Sequence, residues 1–473
     1  MAINRAGTFS LCLCFSVLHL SLASAFSPAD KYFINCGSNA AATVDEARRR
    51  FTGDSCELGS GFLSGAGSIS VEDPNPSPDS SPMYHTARVF RRPSKYKFKI
   101  NEKGTYLVRI HFHKFDSSVS LCDVQFHVSA NNYVLLNNFT MENTRNPRIK
   151  DYMIWVDSEE LLITFTPAKK SKIAFVNAIE VISAPKDLIA DVAYSLNSEK
   201  VKLIHGLSKN AFETVYRVNV GGFKVTPFND SLWRTWVPDE EFFKSSDVSS
   251  RVYTSGRIRY RDGGASREVA PDSVYNTARV ISSSNDSVPQ LNMTWGFPVT
   301  TGYKYLVRTH FCDIASISLG LLYFNVYVNE KLAYENLDLS EKTNWALSSP
   351  FYADFLVDGV SSGFLTVSVG PSNMSMAHTV DAILNGVEIM KINNSMGSLD
   401  GEVYAEYILE SWPKRKAGVA VPLIAAICLL VTAYVLVHRR RVGARDSVPW
   451  SQLPVDTSEG NLKCGVQLSS GKV

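Results

Sequence analysis

The stretch YLVRIHF at Tyr106–Phe112 returns almost letter for letter as YLVRTHF at Tyr305–Phe311. Other pieces recur around it in the same order. They are MYHTARVF (83–90) and VYNTARVI (274–281), VQFHVSANN (124–132) and LYFNVYVNE (322–330), and FVNAIEVI (175–182) and ILNGVEIM (383–390). A period of roughly 200 residues is far longer than that of a solenoid repeat. The sequence therefore predicts one domain duplicated in tandem, with each copy long enough to bury its own core.

Alternation of apolar and polar residues runs through the repeated pieces and their neighbours. The segments Phe324–Asn329 and Leu365–Val369 show a period of two and are rich in β-branched and aromatic residues. Gly, Asn and Pro bound these runs, as they bound strands. Aromatic residues make up 11% of the chain, enough to fill sandwich cores. We therefore expect an all-β fold of two tandem jelly-roll β-sandwiches.

Two apolar segments predict the membrane topology. The first 25 residues combine Arg5, an apolar run and the small-residue cleavage site Ala23-Ser24-Ala25, as secretory signal peptides do. A second apolar run, Ala417–Val437, has 21 residues and no charge, and about 20 such residues cross a bilayer. We predict a single-pass type I protein of the plasma membrane, with residues 26–416 outside the cell and residues 438–473 as a short disordered cytoplasmic tail.

Glycosylation sequons agree with this topology, since all of them precede the predicted span. They begin at Asn138, Asn229, Asn285, Asn292, Asn373 and Asn393. The net charge of +2 offers no electrostatic argument for nucleic acid. We therefore expect an extracellular glycoprotein without a nucleic-acid partner.

Four cysteines fall in the predicted extracellular part, namely Cys36, Cys56, Cys122 and Cys312. Disulfides form in that oxidising compartment, and four cysteines allow three pairings. Pairing of Cys36 with Cys56 is the most local choice, so these two are the disulfide candidates. Cys122 and Cys312 lie in different copies of the repeat, and each is alternatively a buried thiol.

The sequence contains no catalytic constellation. His111 and His310 occupy equivalent positions in the repeat, where they either face a ligand groove or, as their apolar neighbours favour, are structural. Asp313 has no second carboxylate placed to form a glycosidase pair, and no G-x-S-x-G motif is present. No C-x-x-C spacing suggests a metal site. We predict no catalytic residue, no metal and no cofactor.

The densest aromatic segment is Pro227–Trp236, PFNDSLWRTW. Aromatic residues and Arg dominate the hot spots of interfaces, and an exposed Trp could also stack on a sugar. Trp233, Arg234 and Trp236 are therefore the candidate ligand-binding residues. The alternative is that they fill a seam between the two copies or the core of the second copy.

Several segments resemble the plant receptor-like kinases with malectin-like ectodomains, the Catharanthus receptor-kinase-like group. They are YFINCGS (32–38), NPSPDSSPMYHTARVF (75–90), FVNAIEVISAPKDL (175–188), ETVYRVNVGG (213–222), PFNDSLWRTW (227–236), GGASREVAPDSVYNTA (263–278) and LNGVEIMKI (384–392). Their joint order is highly specific, and the resemblance continues to about Pro454. It implies two tandem malectin-like jelly-roll domains, in agreement with the repeat.

The resemblance and the repeat together predict the organisation of the chain. We expect a signal peptide at 1–25, malectin-like domain 1 at 26–185, a linker at 186–200, malectin-like domain 2 at 201–394, a juxtamembrane stalk at 395–416, a transmembrane helix at 417–437 and the cytoplasmic tail at 438–473.

Members of this family carry a cytosolic Ser/Thr kinase domain. The 36-residue tail contains no kinase glycine loop, HRD or DFG segment, although Trp450–Pro454 resembles the stretch that precedes the kinase in the family. We expect a receptor-like protein that is not an enzyme. Its ectodomain would bind a cell-wall carbohydrate or a secreted peptide and act with related receptor kinases. The alternative is a truncated version of a transmembrane receptor Ser/Thr kinase.

Overall fold

Both copies of the repeated stretch form long strands in the middle of a sheet, Gly104–Phe112 and Lys304–Cys312. The computed structural model describes residues 26–65, 67–141, 146–196, 201–245, 249–261, 264–282, 291–376, 379–412 and 417–443. The predicted signal peptide, the sequon at Asn285 and the tail beyond residue 443 lie outside the described residues.

The first copy of the repeat folds into strands β1–β14, which we call lobe 1. These strands are β1 (Lys31–Asn35), β2 (Thr43–Val44), β3 (Arg50–Gly53), β4 (Leu63–Ser64), β5 (Ser68–Glu72), β6 (Thr86–Phe90), β7 (Ser94–Lys99), β8 (Gly104–Phe112), β9 (Gln125–Ala130), β10 (Tyr133–Thr140), β11 (Arg148–Val156), β12 (Glu160–Pro167), β13 (Ala174–Val176) and β14 (Ala178–Ser183). A 3₁₀ turn at Pro82–Tyr84 precedes β6.

Two short strands, β15 (Val192–Ser195) and β16 (Lys202–His205), and a 3₁₀ turn at Leu207–Lys209 follow lobe 1. The second copy then folds into strands β17–β28, which we call lobe 2. These strands are β17 (Phe212–Asn219), β18 (Val237–Pro238), β19 (Ser250–Tyr253), β20 (Thr277–Ser282), β21 (Met293–Pro298), β22 (Lys304–Cys312), β23 (Tyr323–Val328), β24 (Lys331–Asp338), β25 (Pro350–Val357), β26 (Phe364–Pro371), β27 (Val380–Leu384) and β28 (Gly386–Ile392).

Helices are short in lobe 2 and its C-terminal extension. They are α1 (Asp272–Tyr275), α2 (Leu339–Lys342) and α3 (Ala405–Glu410), with a further 3₁₀ turn at Pro227–Asn229. A longer helix, α4 (Ala417–Gly443), follows.

The two lobes share one strand order. The main sheet reads β11-β8-β14-β1 in lobe 1 and β25-β22-β28-β17 in lobe 2. In the second layer, β10-β9-β12 of lobe 1 corresponds to β24-β23-β26 of lobe 2. The prediction of an all-β fold is confirmed, and the duplication read from the sequence is visible strand by strand.

The lobes are joined edge to edge into one sheet. β17 pairs antiparallel with β11, with Tyr152 opposite Glu213 and Met153 opposite Phe212. The equivalent edge of lobe 2, β25, pairs with β15. Since β15 lies within the predicted linker 186–200, four residues of that segment belong to the sheet, where they cover an otherwise open edge.

Apolar side chains form a core in each lobe and a further core between the lobes. The lobe cores include Val108 and Ile110 in lobe 1 and Val307 and Phe311 in lobe 2. The core between them, which we call the seam core, takes side chains from both lobes, among them Phe33, Leu107, Met153, Leu306 and Met390. Burial of each such side chain contributes about 1.5–3 kcal/mol, so the seam core stabilises the junction of the lobes.

Residues 393–412 fold back from lobe 2 onto lobe 1, and we call this segment the strap. Ser398 pairs with Val134 of β10 in a parallel bridge. The Val134 N–H donates to Gly397 O at 3.0 Å, and the Leu399 N–H donates to Val134 O at 2.9 Å. Leu399 is fully buried in the core of lobe 1. The predicted stalk is therefore, as far as Trp412, part of the folded body, because its apolar residues complete lobe 1.

Two equivalent glycines close the turn after the first strand of each lobe. Gly37 has φ +88° and Gly221 has φ +70°, a left-handed conformation that side chains rarely adopt. A Cβ at either position would collide with a backbone carbonyl, that of Ala87 or Ala278. Both turns thus require Gly for the same reason, which marks them as part of the shared architecture.

The two cysteines that the sequence predicted as disulfide partners are free thiols in the structure. Cys36 and Cys56 are both unpaired, as are Cys122 and Cys312. Cys36 lies in the core of lobe 1, where burial raises the pKa of its thiol well above the usual value. The Sγ of Cys56 instead donates to the carbonyl of Gly53 at 3.0 Å. The structure thus leaves both thiols free, and the pairing of Cys36 with Cys56 stays a prediction.

The described chain up to Trp412 forms one unit, and α4 belongs to a second. The predicted span at 417–437 lies within α4. In the part of the chain that the structure describes, no helix combines the length and the apolar composition that crossing a membrane requires.

Candidate functional site

A row of alternating charges crosses the main sheet from one lobe to the other, and we call it the charge row. In strand order it consists of Asp354 on β25, Arg308 on β22, Glu388 on β28, Arg217 on β17, Asp151 on β11, Arg109 on β8 and Glu180 on β14. Successive side chains of a strand point to opposite faces. Val108 and Ile110 therefore face the core of lobe 1, while Arg109 and His111 face the opposite side with the seam core.

Glu180 is the centre of the row in lobe 1. It is fully buried, and its Oε2 accepts from Arg109 at 2.5 Å and from Arg49 at 2.8 Å. Its Oε1 accepts from His111 Nε2 at 2.8 Å. Burial alone would raise the pKa of this carboxyl, but Arg109, His111 and Arg49 outweigh burial and hold the pKa at about 2. Glu180 is therefore ionised throughout the physiological range.

His111 is held between Glu180 and Tyr84. Its Nδ1 hydrogen-bonds the Tyr84 hydroxyl at 2.9 Å. Because the carboxylate can only accept, Nε2 carries the proton and Nδ1 accepts from the tyrosine. Burial lowers the pKa of His111 despite the hydrogen bond to Glu180, so the ring is neutral. With Tyr84 8% and His111 1% exposed, the trio is structural, as the sequence favoured for this histidine.

Lobe 2 repeats the same trio. His310 Nε2 donates to Glu388 at 3.3 Å, and its Nδ1 hydrogen-bonds the Tyr275 hydroxyl at 3.2 Å. Arg217 Nε donates to Glu388 at 2.7 Å. Burial would raise the pKa of Glu388, but Arg217 and His310 hold it far below its usual value. A feature present in both lobes is part of the shared architecture, and it does not by itself mark a binding site.

Asp151 connects the two halves of the row. Its Oδ2 accepts from Arg109 of lobe 1 at 3.4 Å and from Arg217 of lobe 2 at 3.0 Å. Since each of these arginines also binds the glutamate of its own lobe, one carboxylate links both buried networks. The seam between the lobes is thus both apolar and ionic.

A ten-residue segment lies against this face in each lobe, and we call the two copies the Asp loops, although the last residues of each include a short strand, β3 or β18. They are Asp45–Asp54 and Asp230–Asp239, and both begin and end on a buried Asp. In each loop the first Asp accepts from the backbone N–H and the guanidinium of the Arg four positions later. The spacing D-x₃-R-x₄-D occurs in both copies of the repeat and could have predicted the two Asp–Arg pairs, but sequence reasoning missed it.

The three predicted ligand-binding residues lie in the second Asp loop, and two of them are buried there. Arg234 and Trp236 are 1% and 0% exposed. Trp236 Nε1 donates to Asp230 at 3.1 Å, and the Arg234 guanidinium lies 5.6 Å from the Trp236 ring. Both fill the interior of lobe 2, which is the alternative that the sequence left open, and neither can reach a ligand.

Trp233 has a different position from its two neighbours. It is half-buried, has φ +54°, and packs edge-on against Phe33 of lobe 1 with ring centroids 5.3 Å apart. The equivalent residue of the first Asp loop, Arg48, has φ +60°. The backbone strain is therefore shared by both loops, while the aromatic contact across the seam is specific to lobe 2.

Aromatic and cationic groups from both lobes lie on the surface next to the Asp loops. The Arg48 guanidinium lies 5.8 Å from the Phe228 ring, and Lys31 Nζ lies 5.6 Å from the Trp233 ring. Phe228 is 61% exposed. We call these four residues the seam patch. Aromatic and cationic side chains together suit the ring faces of sugars, carboxylates and peptide side chains, and sequence reasoning missed Lys31, Arg48 and Phe228.

The fold separates the sequons by accessibility. Asn138, Asn229, Asn292 and Asn373 are exposed. Asn393 is half-buried, and its Oδ1 accepts from the Ala211 N–H at 2.8 Å while its Nδ2 donates to Asn394 O at 2.9 Å. The amide of Asn393 is thus occupied in the folded protein. A glycan on Asn229 would border the seam patch, because Phe228 precedes it.

Known proteins share this sequence over most of its length. The family model of the malectin-like domain matches residues 34–392. The receptor-like protein kinase THESEUS 1 of Arabidopsis thaliana is 42% identical over 382 residues, which are 80% of this chain and 43% of the relative. A probable receptor-like protein kinase of the same plant is 45% identical over 400 residues, 84% of this chain and 48% of the relative. The chain spans about half the length of these curated relatives.

Solved structures share the fold. The ectodomain of ANX1 from Arabidopsis thaliana matches with a TM-score of 0.70 at 26% identity, over 79% of this chain and 99% of that chain. A chain in the crystal structure of plant peptide RALF23 in complex with FER and LLG2 matches with a TM-score of 0.68 at 30% identity, over 80% and 99%. Both matches extend over nearly the whole of the solved chain.

Replacing Glu180 by Gln tests the structural role of the charge row. We expect a loss of about 3–5 kcal/mol in the free energy of unfolding, because buried arginines lose their partner. The matched control is Glu160→Gln, whose ion pair with Lys97 is half exposed and whose loss costs less than about 1 kcal/mol. Denaturant titration measures both, and equal losses in the two variants would contradict the assigned role.

Acid weakens the fold through two kinds of group. Glu180 has a folded pKa of about 2 against 4.5 when unperturbed, so its contribution is complete above pH 4.5 and declines as the pH falls towards 2. His111 and His310 have lowered pKa values, so the unfolded state binds their protons first as the pH falls below 6.5. We expect the unfolding free energy to fall from pH 6.5 downwards, and less steeply below pH 4.5 in Glu180→Gln. A pH-independent stability would refute this.

Proposed function

This chain belongs to the malectin-like, Catharanthus roseus RLK1-like family of plant receptor-like kinases, and we propose that its tandem malectin-like ectodomain binds a secreted peptide or a cell-wall carbohydrate at the cell surface. It would act there in signalling with related receptor kinases. One observation carries the proposal. A relative with 30% identity over 80% of this chain comes from a structure of the peptide RALF23 with FER and LLG2.

The seam patch is the proposed contact for the ligand. It combines aromatic and cationic side chains, and residues of both lobes contribute to it. Phe228 lies outside the duplicated trios and Asp loops, whose buried polar residues hold the fold together. Arg48 on one lobe and Phe228 on the other would both touch a ligand that lies across the seam. Of the three predicted ligand-binding residues, only Trp233 remains in this proposal.

Anchoring in the plasma membrane is part of the proposal. The sequence supports it through the apolar N-terminal segment with its Ala23-Ser24-Ala25 site and through the 21 uncharged residues at 417–437. The exposed sequons on the folded unit agree with an extracellular position for residues 26–412. The segment that follows, from residue 438, would then lie in the cytosol.

A second candidate function is that of a receptor Ser/Thr kinase, with this chain as its ectodomain part. The relatives favour it, because they are named as kinases and are about twice as long as the matched region. An immunoblot of plant membranes after removal of N-glycans separates the two candidates. A band near 52.3 kDa supports the receptor-like protein, and a band heavier by a kinase domain supports the receptor kinase.

Phe228→Ala in the full chain tests the seam patch. We expect at least a tenfold loss of affinity, since an exposed aromatic that contacts a ligand contributes more than about 1.4 kcal/mol. Biolayer interferometry with RALF23 and, separately, with a pectic oligosaccharide measures it and identifies the ligand class.

The matched control is Ile317→Ala, a 92% exposed apolar residue in the loop after β22 of lobe 2. It should leave the affinity unchanged. Saturable binding that Phe228→Ala does not weaken would refute the seam patch as the contact. Absence of saturable binding to either probe would count against the proposed recognition function itself.

A further inference from the structure

The outer edge of β10 in lobe 1 is already occupied by an extended segment. The strap adds to this edge through the two backbone hydrogen bonds at Val134, and the Asp400 carboxylate accepts from the Asn137 N–H at 2.8 Å. Ala405 and Ile408 of α3 pack against the Val134 side chain. As a result Val134 is 0% exposed. Lobe 1 thus shows how an extended peptide docks on this edge.

Lobe 2 has the same edge on β24, and the turn before each strand shows which residues of the two edges correspond. The turn before each strand places an Asn in the left-handed region, Asn131 with φ +47° and Asn329 with φ +49°. The Oδ1 of each accepts from the neighbouring strand, from Leu162 N at 2.8 Å and from Thr366 N at 2.9 Å. With these two residues superposed, Val134 corresponds to Leu332 and Asn137 to Glu335.

The edge of β24 is open where that of β10 is covered. β24 is the last strand of its sheet, and among the described residues no strand pairs with its outer side. Leu332 is opposite Tyr327, one position after the closing pair Val328–Lys331. In an antiparallel hairpin this position directs its N–H and C=O outwards, as Val134 does. Leu332 is 39% exposed against 0% for Val134.

A cavity adjoins this edge. It has a volume of about 450 Å³ and opens at the beginning of β24, with Leu196, Lys331 and Phe364 among its lining residues. The lining combines apolar side chains with charged and hydroxyl groups. A segment that extends past Leu332 towards the turn would therefore find room for a side chain there.

We propose that β24 is a docking edge for an extended segment of a partner polypeptide, which pairs with Leu332 as the strap pairs with Val134. Unpaired edge groups give affinity through main-chain hydrogen bonds, and side chains give specificity. Asp400 of the strap accepts from the backbone N–H of Asn137. The corresponding residue of lobe 2, Glu335, keeps this N–H but adds an exposed carboxylate beside it. Like charges repel there, so the segment carries Lys or Arg at that position and an apolar residue next to Leu332.

This inference rests on the proposed function only for the nature of the partner, a polypeptide. The docking edge is remote in sequence from the seam patch, and its test uses synthetic peptides. Failure of these peptides would leave ligand binding at the seam patch unaffected, and loss of binding at the seam patch would leave the β24 edge unaffected.

Two synthetic peptides serve as probes for the full chain. One has the sequence of residues 394–402, and the other is the same with Asp400→Lys. Hydrogen exchange measured by mass spectrometry reports protection of residues 331–338. We expect the Lys peptide to protect β24 and to bind at least tenfold more tightly than the Asp peptide. Glu335→Lys should reverse this order, because it exchanges the sign of the charge on the edge.

Leu332→Pro provides a second variant, since it removes the outward N–H and Pro is tolerated at sheet edges. It should abolish protection by either peptide, and circular dichroism checks its fold. The proposal is overturned if neither peptide protects β24 at millimolar concentration. It is equally overturned if both bind alike and Glu335→Lys changes nothing, or if protection is confined to β10, which would mean exchange with the strap.

Discussion

A charge can be buried only when an opposite charge is fixed beside it, because desolvation of an unpaired ion costs several kcal/mol. Asp151 meets this requirement for both lobes at once through Arg109 and Arg217. Each arginine is also bound to a glutamate of its own lobe, Glu180 or Glu388. The ion pair of Asp151 with Arg217 therefore joins two networks that are each already paired within their own lobe, and separating the lobes would break it. The charge row makes the two copies of the repeat a single body.

Other parts of the structure follow from this junction. The seam core buries apolar side chains around the charge row, and the strap returns from lobe 2 to place Leu399 in the core of lobe 1. A surface formed by both lobes then keeps a constant geometry, which is what a binding site across a seam requires. Lobe 2 keeps an open sheet edge at β24 that lobe 1 has closed. The functional candidates thus lie where the two lobes differ.

The sequence predicted the parts of the fold that local pattern determines. The alternation of apolar and polar residues predicted the strands around Tyr106 and Tyr305, and the apolar neighbours of His111 and His310 favoured a structural role for both histidines. The sequence could not predict that β17 pairs with β11, because pairing between copies leaves no local pattern. The sequence also left the burial of Arg234 and Trp236 undecided, since a segment rich in aromatic and cationic residues has the same pattern in a core and on a surface.

Calorimetric unfolding of the purified chain and of Asp151→Asn tests most directly whether the charge row joins the lobes. The wild-type protein should unfold residues 26–412 in one cooperative transition. Asp151→Asn should lose about 3 kcal/mol and unfold with a calorimetric enthalpy above the van't Hoff value, as two lobes that separate would. Two resolved transitions in the wild-type protein, or an unchanged profile in the variant, would contradict the account.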